Sequence, residues 1–391
     1  MQIEVNRLVM LEAAKTVARV APSNSPVDVI RGILIESDDN SSEVFMTATN
    51  HEVSIRQKVM ASVEESGSML VNARLLVDMM SKLDSEFVSL SADRPERLQV
   101  KGGSCTFQIH CMPPKGYPKP IMPFPEESSI MTGICSLAKR TTFLVSQDEH
   151  KPTLQCVQIK LKNNAVHAVA SDGNRLMLIK DTAEQSDERE FLLPGHAFQL
   201  LASISSDSDV FEVGDIDKVV VFVRGDMIFT IRKLATGDYI DTAKLLKELK
   251  PLYAAIAEVS KIKEALGFIN VAASVGTTRE PVNIVFSDGE IILRRISDYS
   301  DGTTSITARV PKKTSDTGFF YDGFALLKLF QVLNGKVKLE IDARGLMVVK
   351  TTNEAYFQAP LAASNVKARS VKKEKARAKG AEDVKELKEA A

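Results

Sequence analysis

The chain has 391 residues, 44% of them hydrophobic and 26% charged, and no tryptophan, a composition that suits a globular protein of two or three domains. No run of roughly 18 apolar residues occurs, so the sequence predicts no membrane-spanning helix. Glu4 and Glu12 interrupt the first apolar stretch and argue against a secretory signal. The four cysteines show no CxxC spacing and are too few for a disulfide framework. These features predict a protein of the reducing cytoplasm.

Three segments of the chain, residues 69–113, 191–235 and 319–362, follow one plan. Each predicts a short strand, a helix of roughly three turns and three strands separated by turn residues. A hairpin with a polar bend precedes each segment, and a helical stretch precedes each hairpin. The hairpins are residues 44–59, 165–181 and 290–310, and the helical stretches are residues 6–20, 133–146 and 258–271.

The repetition predicts three tandem copies of one α+β domain, at residues 1–122, 123–250 and 251–363. Each copy has two helices and about eight strands. Three such domains in series can form an arc, and two arcs joined head to tail close into a ring, which also pairs exposed edge strands. We expect the edge around residues 98–109 to meet residues 265–275 of the second chain.

The net charge of −1 argues neither for nor against nucleic acid. Residues from Ser364 onward hold nine Lys and Arg against five Asp and Glu, so the rest of the chain is slightly acidic. DNA binding would therefore require cations gathered on one surface. The cations predicted on the outer faces of the helices are Lys15, Arg19, Arg74, Lys82, Lys139, Arg140, Lys261, Lys263, Lys328 and Lys336. Helices that line a ring in this way would meet DNA phosphates without reading bases, and the alternative is that these are ordinary solvated helix faces.

Residues 146–181, SQDEHKPTLQCVQIKLKNNAVHAVASDGNRLMLIKD, resemble the middle-domain signature of the bacterial DNA polymerase III beta subunit, the sliding clamp family. The matching positions are Glu149, Lys151, Pro152 and Leu154, followed by Ser171-Asp172-Gly173-Asn174-Arg175-Leu176. MTATNHEVSIRQKV, LVNARLLVDMMSKL and GYP in the first third resemble further motifs of the family. The resemblance covers residues 1–363.

The resemblance implies a homodimeric ring of six clamp domains, with helices lining the hole, that encircles double-stranded DNA without sequence specificity. It also implies that the ring tethers the replicative DNA polymerase as a processivity factor and docks the clamp loader and repair proteins. These partners would insert a short peptide into an apolar cleft between domains II and III. By position, the cleft residues are Leu154, Ser171, Gly173, Asn174, Arg175, Leu176, Ile240, Lys244, Leu245, Phe357, Ala359, Pro360 and Leu361.

The sequence departs from the family pattern at a few places. Ile240 stands where the family has Pro, Cys156 where it has Gly, and Asn24 in a loop that often carries an Arg touching DNA. Residues 364–391 extend past the usual end; their alternating charges predict disorder, and the alternative is an electrostatic arm for DNA or a partner.

The sequence offers no pattern of an enzyme. The five histidines are scattered, and no Walker A, GxGxxG, GxSxG or HExxH motif occurs. We therefore predict no catalytic residue, no metal and no cofactor. The resemblance to the sliding clamp family implies that a separate ATP-driven loader opens the ring. A second hypothesis remains, a clamp-like scaffold that binds peptides and does not encircle DNA.

Overall fold

The structure is a computed structural model, and it describes residues 1–38, 42–94, 96–182, 188–234, 239–271, 281–296, 301–310 and 316–361. The predicted charged tail, residues 364–391, lies outside these residues. The described chain forms two compact units. The first contains Met1–Ala168 and the described residues from Asp181 to Leu234, and the second contains Val169–Lys180 and the described residues from Tyr239 onward.

The described residues form 24 strands and seven α-helices. The first eight strands are β1 (Gln2–Asn6), β2 (Gly32–Ser37), β3 (Glu43–Thr49), β4 (Val53–Glu65), β5 (Gly67–Asn72), β6 (Phe87–Arg94), β7 (Arg97–Gly102) and β8 (Cys105–His110). The next eight are β9 (Ser129–Met131), β10 (Cys156–Lys162), β11 (Ala165–Ser171), β12 (Arg175–Thr182), β13 (Arg189–Pro194), β14 (Phe211–Ile216), β15 (Val219–Arg224) and β16 (Met227–Arg232). The last eight are β17 (Pro251–Glu258), β18 (Pro281–Ser287), β19 (Glu290–Ile296), β20 (Asp301–Thr307), β21 (Asp316–Asp322), β22 (Lys336–Asp342), β23 (Met347–Lys350) and β24 (Glu354–Gln358). The helices are α1 (Arg7–Ala18), α2 (Ala73–Lys82), α3 (Ile134–Thr141), α4 (Gly195–Ser203), α5 (Thr242–Glu248), α6 (Val259–Val271) and α7 (Gly323–Val332).

The element order repeats as the sequence predicts. A strand, a helix and three strands follow one another in β5-α2-β6-β7-β8, in β13-α4-β14-β15-β16 and in β21-α7-β22-β23-β24. The predicted hairpins are β3–β4, β11–β12 and β19–β20, and α1, α3 and α6 lie ahead of them. The described chain therefore runs three times through a series of two helices and eight strands. Helix α5 follows the second series and has no predicted counterpart.

The first unit is built on one antiparallel sheet that joins the first and second series. Its strand order is β8-β7-β6-β1-β4-β16-β15-β14-β9, and β2, β3 and β5 extend it beside β4. Strands β4 and β16 pair from Gln57 opposite Met227 to Val53 opposite Ile231. This continuous ladder joins strands of the first and second series in one compact unit, whereas Val169–Lys180 and the described residues from Tyr239 onward belong to the second unit.

Helices α1 and α2 pack against each other, as do α3 and α4. The side chains of Asn6 and Asn72 accept hydrogen bonds from the first backbone N–H groups of α1 and α2, which starts these helices. Helix α1 buries Met10, Leu11, Ala13, Ala14 and Val17. Val9 is 51% exposed and lies outside this buried stripe.

The second unit contains two sheets and helices α5, α6 and α7. One sheet has the order β12-β24-β23-β22-β17, and the other has the order β20-β19-β18-β21. Helices α6 and α7 pack together, and α6 lies against β19 and β20. Ile262, Leu266 and Ile269 of α6 are buried at this contact. Strand β20 is the outer strand of its sheet, as β8 is in the first unit.

A titratable contact in the first unit joins the β3–β4 bend to α4. The carboxylate Oε2 of Glu52 and the imidazole Nε2 of His196 are 2.5 Å apart. This hydrogen bond, with the carboxylate charge, raises the pKa of His196 above its ordinary value of 6.5, although burial opposes the shift.

We expect this contact to stabilise the protein at low pH. A raised imidazole pKa contributes stability that is fully present below the unfolded pKa of about 6.5 and is lost as the pH rises through the folded pKa. In Glu52→Gln, an NMR titration of the His196 ring should give a pKa closer to 6.5. The same His196 pKa in both proteins would contradict the assignment.

Candidate functional site

The bend between β11 and β12 is held by its own polar side chains. The Asp172 Oδ1 atom accepts hydrogen bonds from the backbone N–H groups of Asn174 (2.9 Å) and Arg175 (2.8 Å). The Ser171 Oγ atom accepts one from the Gly173 N–H (3.0 Å) and donates one to the Arg175 carbonyl (2.6 Å). Gly173 has φ of 94°, a conformation that glycine adopts without strain. These polar groups shape a turn.

Arg175 and Asp172 lock the bend further through a bidentate contact. The Arg175 Nε and Nη2 atoms donate to Asp172 Oδ2 at 2.8 and 2.6 Å. Burial alone lowers the pKa of the Arg175 guanidinium, but the hydrogen bond and the charge of Asp172 outweigh burial and raise that pKa. The two side chains are 22% and 18% exposed, so the pair is partly shielded from solvent.

We expect Asp172→Ala to lower the free energy of unfolding by about 2–3 kcal/mol, because it removes a charged acceptor of four hydrogen bonds. Asp172→Asn keeps one acceptor oxygen and should cost less. Asp148→Ala is the control, since Asp148 is exposed and its ion pair with Lys151 is long, at 3.7 Å, and therefore weak. Urea denaturation measures all three variants. A loss in Asp172→Ala no larger than in Asp148→Ala would contradict the role of the bend.

Leu176, at the end of the bend, packs into an apolar cluster of the second unit. Leu176 is 5% exposed, and directly opposite it on β24 lies Phe357, which in turn lies opposite Val348 on β23. The cluster, which we call the Leu176 cluster, consists of Val169, Leu176, Val348, Ala355 and Phe357.

The chain around α5 lies against this cluster. Half-buried apolar side chains from this region contact it: Tyr239, Ile240, Leu245 and Leu249. Asp241 caps α5 by accepting a hydrogen bond from the Lys244 N–H at 3.0 Å, and the Lys244 side chain is exposed. No residue of α5 is buried. Ile240 stands where the family has Pro, and its side chain still makes an apolar contact with the cluster.

The residues that follow β24 join the last strand to the bend. The Ala359 N–H donates to the Asn174 carbonyl at 2.9 Å, and the Leu361 N–H donates to the Phe320 carbonyl at 2.8 Å. Ala359, Pro360 and Leu361 are half-buried. The structure therefore places Leu176, Phe357, Ile240 and Leu245 in one apolar cluster and joins Ala359 to the bend through Asn174.

Leu154 is the predicted cleft residue of the first unit. It is half-buried in the 3-10 turn Pro152–Gln155.

The sequence reasoning missed several members of the site, namely Val169, Tyr239, Leu249, Leu346, Val348 and Ala355. Alternation along β24 was the available signal for Ala355, which lies two residues before Phe357.

Several predicted cations surround an open groove of the first unit. The groove holds about 490 Å³ between the end of α1 and the start of α2, and Lys15, Arg19 and Arg74 line it. Asn24 and Arg31 line it as well, and Arg31 was missed because it lies in a 3-10 turn rather than on a predicted helix.

The other predicted cations differ in exposure. Lys82, Lys139, Lys261, Lys328 and Lys336 are exposed, and Lys263 is half-buried.

Two of the predictions for these cations need correction. The Arg140 side chain is only 15% exposed and is bound to Asp181, so it is not the free outer-face cation that the sequence predicted. The cause is an ion pair between residues 41 positions apart, which helical spacing cannot reveal. Lys336 begins strand β22 and lies on no helix, because α7 ends at Val332.

Across the described ranges, no helix is both long and apolar enough to cross a membrane. Within the same ranges, no three His, Cys, Asp or Glu side chains lie together in a way that could hold a metal ion.

Two family profiles match this chain. The profile of the DNA polymerase III beta subunit, N-terminal domain, matches residues 1–122, and that of the central domain matches residues 132–241. Together they cover more than half of the sequence. The chain belongs to the DNA polymerase III beta subunit family.

Curated relatives agree with this membership. The beta sliding clamp of Chlamydia muridarum is 24% identical over 329 residues, which cover 82% of this chain and 87% of that protein. The beta sliding clamp of Streptomyces coelicolor is 26% identical over 303 residues, with coverage of 75% and 78%.

Solved structures show the fold. The DNA polymerase sliding clamp of Bacillus subtilis matches with a TM-score of 0.84 at 18% identity, over 93% of this chain and 99% of that one. A sliding clamp of Pseudomonas aeruginosa bound to griselimycin matches with a TM-score of 0.82 at 17% identity, with the same coverage. This chain thus has the sliding-clamp fold.

Proposed function

We propose that this sliding clamp acts as a homodimeric ring that encircles duplex DNA and tethers the replicative polymerase. The observation that carries the proposal is the threefold series of two helices and eight strands in a chain of this family. Each series forms one domain, at residues 1–122, 123–250 and 251–363, and two chains supply six. Membership of the family favours a DNA sliding clamp over a scaffold that does not encircle DNA.

The exposed cations of the helices supply the contact with DNA. Lys15, Arg19 and Arg74 line one groove, and Lys261 and Lys328 are exposed on helices of the second unit. Long cationic side chains on helix surfaces meet phosphates without contacting base edges, so binding does not depend on sequence and weakens as salt rises. A closed ring can slide because these contacts are individually weak and interchangeable.

Ring closure joins the outer strand β8 of one chain to the outer strand β20 of its partner. Each of these strands ends its sheet, and pairing them would satisfy free backbone groups on both. Beside β20, Phe268 is 63% exposed and lines a groove of about 560 Å³ between α6 and β20. Val271, one α-helical turn further along α6, is 69% exposed. Residues 272–275 of the predicted interface lie outside the described ranges.

The Leu176 cluster is the docking site for partner peptides. A Leu or Phe anchor that displaces the half-buried side chains of Ile240 and Leu245 would contact Leu176 and Phe357, and its burial contributes roughly 1.5–3 kcal/mol. Lys244 of α5 and Asn174 of the bend are both exposed, and their side chains would contact polar groups of such a peptide. The polymerase, the clamp loader and repair proteins would compete for this one site.

The clamp performs no reaction of its own in this proposal. It uses geometry to hold the duplex, and an ATP-driven loader opens the ring.

The proposal is tested by the mass of the purified protein in solution, measured by light scattering over a dilution series. The ring requires a stable species near twice 42.9 kDa. A species at 42.9 kDa throughout the series would refute ring closure by two chains.

A further inference from the structure

The segment between β8 and β9 is rich in proline. Residues 113–125, PPKGYPKPIMPFP, contain six of the 15 prolines of the chain. Proline fixes its own φ near −65° and restricts the residue before it to extended conformations. From Tyr117 to Pro125, only Ile121 is neither a proline nor the residue before one. Tyr117 has φ of −77° and ψ of 129°, close to polyproline II geometry.

One side of this segment packs against other residues of the first unit. Tyr117 is 5% exposed, and its hydroxyl donates to the Thr47 carbonyl at 3.3 Å. Met122 packs against an apolar cluster formed by Val221, Val223 and Ile228. Pro125 lies on Gly214 so closely that a Cβ atom there would be 2.3 Å from the Pro125 Cβ. Met122 and Pro125 are three residues apart, which places them on one face of a polyproline II helix.

A second face of the segment points to solvent. Ile121 is 82% exposed, more than any other large apolar side chain of the described residues, and Phe124 is 65% exposed. These two residues are also three apart and therefore share a face. The contacts of Tyr117, Met122 and Pro125 hold this face in place before any partner binds, so binding would order little additional backbone.

We propose that the face formed by Ile121 and Phe124, which we call the linker face, docks into a groove lined with aromatic side chains on another protein. Aromatic-lined grooves recognise polyproline II segments because the ligand is already extended and the rings pack against proline and apolar side chains. The linker face contains neither a helix cation nor a member of the Leu176 cluster. It adds an interaction surface beyond the proposed clamp function.

The charges at the two ends of the segment indicate which charges the partner's groove carries. At the first end, the Lys119 Nζ atom pairs with Glu36 at 2.7 Å within the chain. At the second end, Glu126 is exposed, and Glu127 is 83% exposed and pairs with Arg189 at 3.5 Å within the chain. The complementary groove therefore carries basic side chains at the end that receives the residues after Pro125.

The test uses the full-length protein with the photoreactive residue p-benzoylphenylalanine at position 124, irradiated in an extract of the source organism. The matched control carries the same residue at Val210, a 53% exposed apolar position outside the segment. We expect a protein adduct at 124 that is absent at 210 and maps to a groove lined with Tyr, Trp or Phe. A synthetic peptide of residues 117–127 should suppress it, and the same peptide with Ser at 121 and 124 should not.

The purified partner then provides a quantitative check. We expect the double variant Ile121→Ser, Phe124→Ser to bind it at least tenfold more weakly, and Val210→Ser to bind it like the unaltered protein. Both side chains are exposed, so the unfolding midpoint should not change. The proposal is overturned by equal adducts at 124 and 210, by an adduct to nucleic acid, to a second copy of this chain or to a site without aromatic lining, or by unchanged binding of the double variant.

Discussion

Replacing Phe268 with Glu is expected to convert the proposed dimer into monomers near 42.9 kDa. Phe268 is 63% exposed in the single chain, so the substitution should change the stability of the monomer by no more than about 0.5 kcal/mol. In the ring, the same position would be buried against the β8 edge of the partner. The variant loses roughly 1.5–3 kcal/mol of apolar burial and places an unpaired carboxylate in a dry contact.

A ring of two chains contains this interface twice, so the losses in Phe268→Glu act at both joints. Because each 1.4 kcal/mol changes an association constant about tenfold, we expect the association constant of the dimer to fall at least about 100-fold. Val210→Glu is the control, because it adds the same charge at an exposed apolar residue that belongs to neither β8 nor β20. Light scattering and the unfolding midpoint separate dissociation from misfolding. A Phe268→Glu protein that remains dimeric would contradict the assigned interface.

Phe357→Ala is expected to have the largest effect on the proposed peptide site. Phe357 is 2% exposed and lies opposite both Leu176 and Val348, so its removal leaves a cavity in the Leu176 cluster. Such a change costs about 3–5 kcal/mol of unfolding free energy, and Phe357→Leu should cost less. We also expect a peptide from the cognate polymerase to bind Phe357→Ala at least tenfold more weakly, because its anchor loses a contact surface.

Phe330→Ala separates stability from binding in this experiment. Phe330 is 1% exposed in α7 of the same unit and is no member of the Leu176 cluster. Its loss should lower the urea midpoint by a similar amount and leave peptide affinity, measured by calorimetry on the folded protein, unchanged. Equal losses of affinity in Phe330→Ala and Phe357→Ala would contradict the site.

The sequence predicts the order of elements because it depends on local patterns. Alternating apolar residues and turn residues mark β15 and the β11–β12 hairpin, and helical spacing marks α2 and α7. The bend at Gly173 was predictable for the same reason, since its Asp-Gly pair favours a turn with positive φ.

Contacts between distant residues could not be predicted in this way. The pairing of β4 with β16 depends on two strands more than 150 residues apart, and periodicity contains no information about which edges meet. Arg140 was assigned to the outer face because its partner Asp181 lies on another element. Leu75 lies at helical spacing from Met79, four residues further along α2, yet Leu75 is 43% exposed. The inner face of α2 holds Ala73, Leu76, Met79 and Met80 instead.

The candidate site shows the same division. The resemblance supplied Leu176, Phe357 and Leu245, which the structure brings to one cluster. Val169 and Val348 were missed because each looks like an ordinary alternating strand residue. Their role follows only from the placement of β11, β12, β24 and β23 side by side.

The proposed function requires that the protein holds DNA by surrounding it. The most direct measurement is the fraction of protein that stays on a nicked circular DNA, after assembly with its loader and ATP, before and after one cut makes the circle linear. A ring predicts retention on the circle at salt that screens the phosphate contacts, and rapid loss through the free ends after the cut. Equal retention on the circular and linear forms would contradict encirclement.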